Sequence, residues 1–460
     1  MKKGNMKMNN EQFQPEELNQ VPKKEKQSAP AWALILIVLL VVALAVCGVI
    51  LGKMLLGGKD KGGDKVASHH TNAHGYPSWS VHFRTRESDG NMEYYYLNDK
   101  EKEVKLSSDD VNTLMNKDVL TCGERVLNNR VLQCYYVDYT YAYYNQNMNS
   151  LYYSLDTSAP LDSQMQAETN TTWQQSFLEG SVNKANLVMA LCQHAKDNGF
   201  TLTDEQQSEI NMMTDLDMLS YSYGYEDGAS LLAAMYGPMS TIEAYTTYVT
   251  DNITASYYTN QLAESVEVTD EEVEAYYDAN ADAMAAQNIE KIDKNVVNVR
   301  HILITPEAAE DGSISEEAWA AAEAEAQRVY DEWKAGEATE QTFSELAGTY
   351  TQDPGSKSTG GLYEDVYPGK MVTEFNDWCF DDARQVGDTG IVKTSYGFHV
   401  MFYSGQGDYI YWRDTCSYML KSEKVTAVTD EILAQYQTKA DYKNIIVLDA
   451  TTATKPSTVQ

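Results

Sequence analysis

The sequence predicts an α+β protein of two main parts behind one N-terminal transmembrane helix. Three observations carry this. An uncharged apolar run of 21 residues, Ala31 to Leu51, lies near the start. From about 130 to 290 apolar residues recur at helical spacing. From 294 to 405 the rhythm changes to strand, helix, helix, short helix, strand, strand. At 460 residues the chain can enclose two or three cores.

The run "AWALILIVLLVVALAVCGVIL" has the length of a bilayer-spanning helix, and no charge occurs between Lys26 and Lys53. An uncleaved signal anchor over 31–52 with a cytoplasmic tail over 1–30 is the expectation. A cleaved signal peptide and a lipoprotein beginning at Cys47 are the alternatives; Val46 is a poor residue before a lipidated cysteine. Lysines flank both ends, so their count does not orient the segment. Acids outnumber bases by 68 to 35, although the first 65 residues hold ten lysines against six acids. So acidic a body is a poor partner for nucleic acid or an anionic membrane surface, and it suits basic segments. The cysteines show neither CxxC nor metal spacing, and "SHHTNAH" lies in a polar linker without fixed geometry. No metal and no cofactor is expected.

Residues 53–110 read as a flexible spacer followed by a β-hairpin around "ESDGN". "VLTCGERVLNN" predicts a short strand, a glycine turn and a helix start with Asn129 as the cap. The helical region, 111–293, carries capping boxes at Thr203 with Gln206, Ser240 with Glu243 and Thr269 with Glu272. It is dense in Tyr and Met, which serve either as core or as adaptable apolar contact surface.

Within 294–405 two apolar strands each hold a histidine, "NVRHILITP" and "TSYGFHVMFY". Period two puts Phe398, Val400 and Phe402 on one face, and His399, Met401 and Tyr403 on the other. Between them, Ser313 with Glu316 and Thr342 with Glu345 predict two capped helices; the first buries Trp319, Ala322, Ala326, Val329 and Trp333. "TQDPGSKSTGGLYEDVYPGKM" then reads as a long functional loop. Residues 406–460 return to helix.

The motifs "VRHILI", "FSELAGTYTQD", "GGL", "GKMVTEF", "VGDTGIVKT" and "YGFHVMFY" resemble, in order and spacing, a parvulin-type peptidyl-prolyl isomerase. "LTCGERVLNN" and "VEVTDEEVEAYYDAN" resemble the helical chaperone part of PrsA- and SurA-type foldases. The resemblance implies an antiparallel parvulin sheet with surrounding helices (294–405), inserted in a helical body (111–293) that the C-terminal segment (406–460) completes. It implies a foldase that isomerises Xaa-Pro bonds of exported, partly folded polypeptides, held at the cell membrane with its bulk outside. A silent holdase and a cell-envelope adaptor are the alternatives.

Carried over by motif, the catalytic set is His301, Asp353, Thr394, Tyr396 and His399, and the proline pocket is Leu362, Met371 and Phe375. The two histidine strands are expected to pair with both rings on the active face, close enough to hydrogen-bond. Four features depart from the family, one being an additional residue before Met371. The family's Gly-Gly-Asp-Leu-Gly reads "GGLYED", Tyr396 stands where some members carry Ser, and the loop after the first strand, "TPEAAEDGSISEE", is acidic where phospho-specific members are basic.

Overall fold

A computed structural model describes residues 79–449, apart from 87, 99–101, 152–154, 157–158 and 167–170. The predicted anchor, Ala31 to Leu51, lies outside the described residues. Among those described, no helix is long and apolar enough to cross a membrane. The chain divides into two compact units. Unit 1 takes the residues up to Cys192, Thr201–Ser256 and those from Thr438 onward; unit 2 takes Gln193–Phe200 and Tyr257–Gln437.

In unit 1, β1 (Trp79–Thr85) and β2 (Met92–Leu97) form the predicted hairpin, with Gly90 in its turn at a φ of 72°. β3 (Glu103–Leu106) adds to β2. The other neighbour of β1 comes from the far end of the chain, β11 (Ile446–Leu448), which pairs with it in parallel. Val81, Tyr94, Ile446 and Leu448 pack against Val111 and Met115 of α1 (Ser108–Met115). A second sheet joins β4 (Asp118–Cys122), β5 (Arg125–Asn128) and β10 (Lys439–Ala440).

Helix α2 (Asn129–Leu151) starts one residue earlier than the Asn129 cap would have it. Asn128 accepts from the Val131 amide, which leaves the buried Asn129 free to bond the carbonyls of Leu114 and Asn444 and the amide of Ile446. Gln133, one turn on, exchanges two bonds with the Leu448 backbone. Ile446–Leu448 are therefore strand held by side chains of α2, not the helical run expected there. "IIVL" is a short apolar run whose period cannot separate helix from strand, and the partners decide.

Four more helices lie wholly or mainly in unit 1 after α3 (Trp173–Asp197, as far as Cys192). They are α4 (Asp204–Met213), α5 (Leu216–Tyr223), α6 (Gly228–Tyr236) and α7 (Ile242–Ser265, as far as Ser256). Five of the tyrosines here are core. Tyr135, Tyr136, Tyr236, Tyr245 and Tyr248 are buried, and the Asp138 carboxylate accepts from the hydroxyls of Tyr236 and Tyr248. Met212, Met218, Tyr221 and Tyr223 on α4 and α5 are exposed, as are Tyr141 on α2 and Ile242 on α7. The five cysteines of the described residues are buried thiols.

In unit 2, β6 (Val297–Ile304), β7 (Leu362–Val366), β8 (Thr389–Thr394) and β9 (Gly397–Gln406) form an antiparallel sheet in the order β7-β6-β9-β8. One face, with Ile302, Ile304, Phe398, Val400 and Phe402, is covered by α10 (Glu316–Ala335) and α11 (Glu340–Tyr350) through Ala322, Ala326, Val329, Trp333 and Phe343. The other face, with Val299, Met401 and Tyr403, meets Phe375 and Cys379 of α12 (Thr373–Cys379). A third cluster joins Val273 of α8 (Asp270–Ala279), Met284 of α9 (Ala281–Ala286) and Trp412 and Cys416 of α13 (Tyr411–Gln435).

Of the five predicted capping boxes, those at Thr203 and Thr269 form. The other helix starts shift by one to three residues, to caps at Thr241, Ser315 and Thr339. Each is a neighbouring hydroxyl able to accept the same orphan amides, so local sequence alone did not choose between them.

The loop expected between α11 and α12 is in part the strand β7. Gly361 permits this. Its φ is 76°, its carbonyl accepts from the His301 amide at 2.9 Å, and a Cβ there would drive into the His301 carbonyl oxygen. Gly361→Ala is expected to destabilise unit 2 by at least about 2 kcal/mol, from left-handed strain plus the clash. A shift of the urea midpoint in the region reported by β6 and β9 amides checks this; an unchanged midpoint contradicts it.

Candidate active site

Two strands present the histidines. β6 pairs with β9 so that His301 stands opposite Met401, and His399 opposite Leu303. The rings are thus diagonal neighbours across the ladder, not a directly opposed pair as expected. They still meet, with Nδ1 to Nδ1 at 3.0 Å and ring centroids 5.2 Å apart. Long flat side chains bridge the diagonal.

Asp353 arrives from the turn after α11. The Thr351 hydroxyl accepts from the amides of Leu303 and Asp353, and the Gln352 amide donates to the Leu303 carbonyl. "TQD" therefore runs along the end of β6 and carries the carboxylate to His301. Asp353 Oδ2 lies 3.0 Å from His301 Nε2, 2.5 Å from the Ser356 hydroxyl and 2.7 Å from the Tyr363 hydroxyl. Oδ1 accepts from the Gly355 amide. At the far end, Thr394 Oγ1 is 2.9 Å from His399 Nε2 and accepts from the Tyr396 amide.

Charge states follow from these contacts. Burial pushes both imidazoles down, His399 to about 3 with the neighbouring His301 adding to the effect. Burial alone would raise the Asp353 carboxyl. The hydroxyls of Ser356 and Tyr363, the Gly355 amide and His301 outweigh it and hold the carboxyl at about 2. At neutral pH the site thus holds two neutral rings and one carboxylate.

That combination has one consistent direction of hydrogen bonding. His301 Nε2–H donates to Asp353. His301 Nδ1 must then accept, so His399 donates from Nδ1–H. His399 Nε2 in turn accepts from the Thr394 hydroxyl. Each link is set by the carboxylate at one end.

Phe375 is buried and stands edge-on to both rings, at 5.5 Å from His301 and 5.3 Å from His399, with interplanar angles of 85° and 84°. Met371 packs, partly buried, on the same apolar cluster. Two sequence-predicted residues stand elsewhere. Leu362 pairs with Arg300, on the sheet face opposite the histidines. The Tyr396 side chain is 63% exposed, and only its backbone amide joins the network. Sequence reasoning missed Ser356 and Tyr363. Tyr363, opposite Val299, faces the site and stacks on His301 at 5.0 Å and 19°. Its position inside the rearranged "GGLYED" was the one available signal.

Residues 284–404 match the family model of the PPIC-type PPIase domain. With the paired histidines, this makes the module a parvulin-type rotamase domain. Parts of the chain are similar to PrsA and SurA proteins. The chain is 29% identical over 205 residues to the foldase protein PrsA of Halalkalibacterium halodurans, covering 44% of this chain and 51% of that protein. It is 39% identical over 112 residues to the chaperone SurA of Pseudomonas putida, covering 24% of this chain and 23% of that one. A putative peptidyl-prolyl cis-trans isomerase, Cbf2 of Campylobacter jejuni, is 29% identical over 153 residues, 33% of this chain and 48% of its own. The chain thus spans about half, or less, of the length of these curated relatives.

Proposed function

We propose that the rotamase domain catalyses cis–trans rotation about Xaa-Pro bonds, and that the chain acts as a foldase for exported, incompletely folded polypeptides. The observation that supports it is the one-way hydrogen-bond chain from Thr394 through two neutral rings to the Asp353 carboxylate, with the buried Phe375 edge-on to both rings. The barrier to rotation, about 20 kcal/mol, comes from amide resonance. No bond breaks, so the site need not transfer a proton. It has to bind the twisted amide better than either planar form. Phe375 and Met371 offer an apolar wall for the proline ring. The network offers dipoles already fixed in direction, so little reorganisation accompanies the twist.

In this reading the domain over 294–405 works within a chaperone body built from 111–293 and 406–460. The pairing of β10 with β4 and of β11 with β1 supports a role for the C-terminal segment in that body. The exposed Met212, Met218, Tyr221 and Tyr223 supply adaptable apolar surface for clients. The run Ala31 to Leu51 anchors the chain in the cell membrane, with the N-terminus cytoplasmic and the bulk outside.

A protease-coupled isomerisation assay on residues 66–460 tests the activity. Wild type is expected to accelerate an exchange that takes tens of seconds unaided. Phe375→Ala removes about 1.5–3 kcal/mol of apolar contact and is expected to lower kcat/KM roughly 10- to 100-fold with the fold retained. A folded wild-type protein that leaves the uncatalysed rate unchanged would point to a holdase instead.

A further inference from the structure

Tyr363 is the one aromatic residue of the β7 strand that faces the histidines, and no step above requires it. Its ring lies nearly parallel to His301, which is thereby held between Tyr363 on one side and His399 on the other. Its hydroxyl donates to Asp353 Oδ2 at 2.7 Å, the same oxygen that takes the Ser356 hydroxyl and His301 Nε2.

The direction of the whole network hangs on that oxygen. With Asp353 ionised, the bonds run from Thr394 through His399 and His301 to the carboxylate. With Asp353 protonated on Oδ2, its proton would go to His301 Nε2. His301 would then donate from Nδ1, His399 would accept there and donate from Nε2, and the Thr394 oxygen would turn from donor to acceptor toward His399. The network has two possible directions, and the ionised Asp353 selects the first. A hydroxyl that donates to Oδ2 favours the ionised state and disfavours a proton on that oxygen.

We propose that Tyr363 is a positioning residue of the rotamase site, whose hydroxyl holds Asp353 as an acceptor and so fixes the tautomers of both histidines as far as Thr394. The consequence for turnover rests on the isomerase reading; the consequence for the tautomers does not. The titratable and charged groups around it are few. Asp353 comes from the turn after α11, His301 from β6 and, behind it, His399 from β9. Lys357, next to Ser356, directs its ammonium to the Thr351 carbonyl. Ser356 is the second hydroxyl on Oδ2, so the bias is shared, and loss of Tyr363 alone weakens it without removing it.

The test is nitrogen NMR on the full chain with 15N-labelled histidine, which reads which ring nitrogen carries the proton. In wild type, His301 is expected protonated on Nε2 and His399 on Nδ1, from neutral pH down to about pH 4. Tyr363→Phe keeps the ring and removes the donor. It is expected to raise the acid midpoint at which these signals change by about one pH unit. In an Asp353→Asn background the same substitution should add nothing, since the acceptor it serves is already altered. Isomerase assays on the same proteins are expected to show kcat lowered more than KM in Tyr363→Phe. Unchanged tautomers and an unchanged midpoint in Tyr363→Phe would overturn the proposal, whatever the activity. So would a Phe variant that cannot fold, because the hydroxyl would then hold the domain and not the network. If the NMR shifts occur while wild type shows no turnover, the positioning role stands and the isomerase reading falls.

Discussion

Replacing His82 by alanine is expected to destabilise unit 1 by about 3–5 kcal/mol, the range for stripping the counter-ion from buried charge. His82 sits on β1 with one ring nitrogen 2.9 Å from Asp162 and the other 3.1 Å from Asp449. All three residues are buried, at 3%, 6% and 2% exposure, so removal of the ring takes a cation from two carboxylates held away from water. Both ring nitrogens face carboxylate oxygens, and only the doubly protonated ring satisfies both. Burial by itself lowers the imidazole, but the bonds to Asp162 and Asp449 outweigh it and raise His82 to about 9. The sign follows from the raised value. The stabilisation is fully present below the unfolded value of about 6.5 and is lost as pH rises through about 9. Thermal melts of wild type and His82→Ala should therefore lie far apart at pH 6 and converge toward pH 10. Parallel curves across that range would show that the triad carries no net charge interaction.

Acid is expected to act in the opposite sense on unit 2. His301 and His399 are depressed in the folded state, so neutral rings favour folding. Their contribution is fully present above about pH 6.5 and is lost as pH falls toward about 3 for His399. Each such ring costs up to about 1.4 kcal/mol per pH unit below 6.5. Between pH 7 and 4.5 His399 alone should remove on the order of 2–3 kcal/mol, and His301 adds in the same direction. Asp353 plays no part in that window, because its carboxyl, held at about 2, stays ionised. Hydrogen exchange at the amides of β6 and β9, corrected for intrinsic rates, measures the effect directly. Protection that is flat from pH 7 to 4.5 would mean the rings are already charged or never buried in solution.

These two histidine sites were not equally legible. His301 and His399 announce themselves because each interrupts a strand whose period is plain, and their faces follow from alternation alone. His82 also lies on a strand, yet nothing local marks it. Its partners are 80 and 367 residues away, at a turn and just beyond β11. No periodicity reaches across such distances.

Leu362 and Tyr363 show the same limit at the scale of one residue. The motif placed the pocket wall at Leu362. In the fold, β7 pairs with β6 through an irregular register between Val297 and Val299, and that pairing turns Tyr363 toward the histidines and Leu362 away. A shift of one position exchanges the two faces of a strand. The local sequence holds no information on register when the strand itself, "LYEDV", lacks an apolar alternation.

By itself the sequence determined the α+β class, the apolar stripe of α10, the caps at Thr203 and Thr269, and the two histidines with Phe375. These are read from period, cap chemistry and motif, all of which act within a few residues. Only the tertiary structure decided that "IIVL" is a strand beside β1, that Asn129 binds the end of the chain and not its own helix, and that Tyr363 and Ser356 complete the Asp353 site. The physical reason is common to all three. Each rests on hydrogen-bonding groups that several local conformations could satisfy equally well, and the choice among them is made by partners that the chain brings together only when it folds.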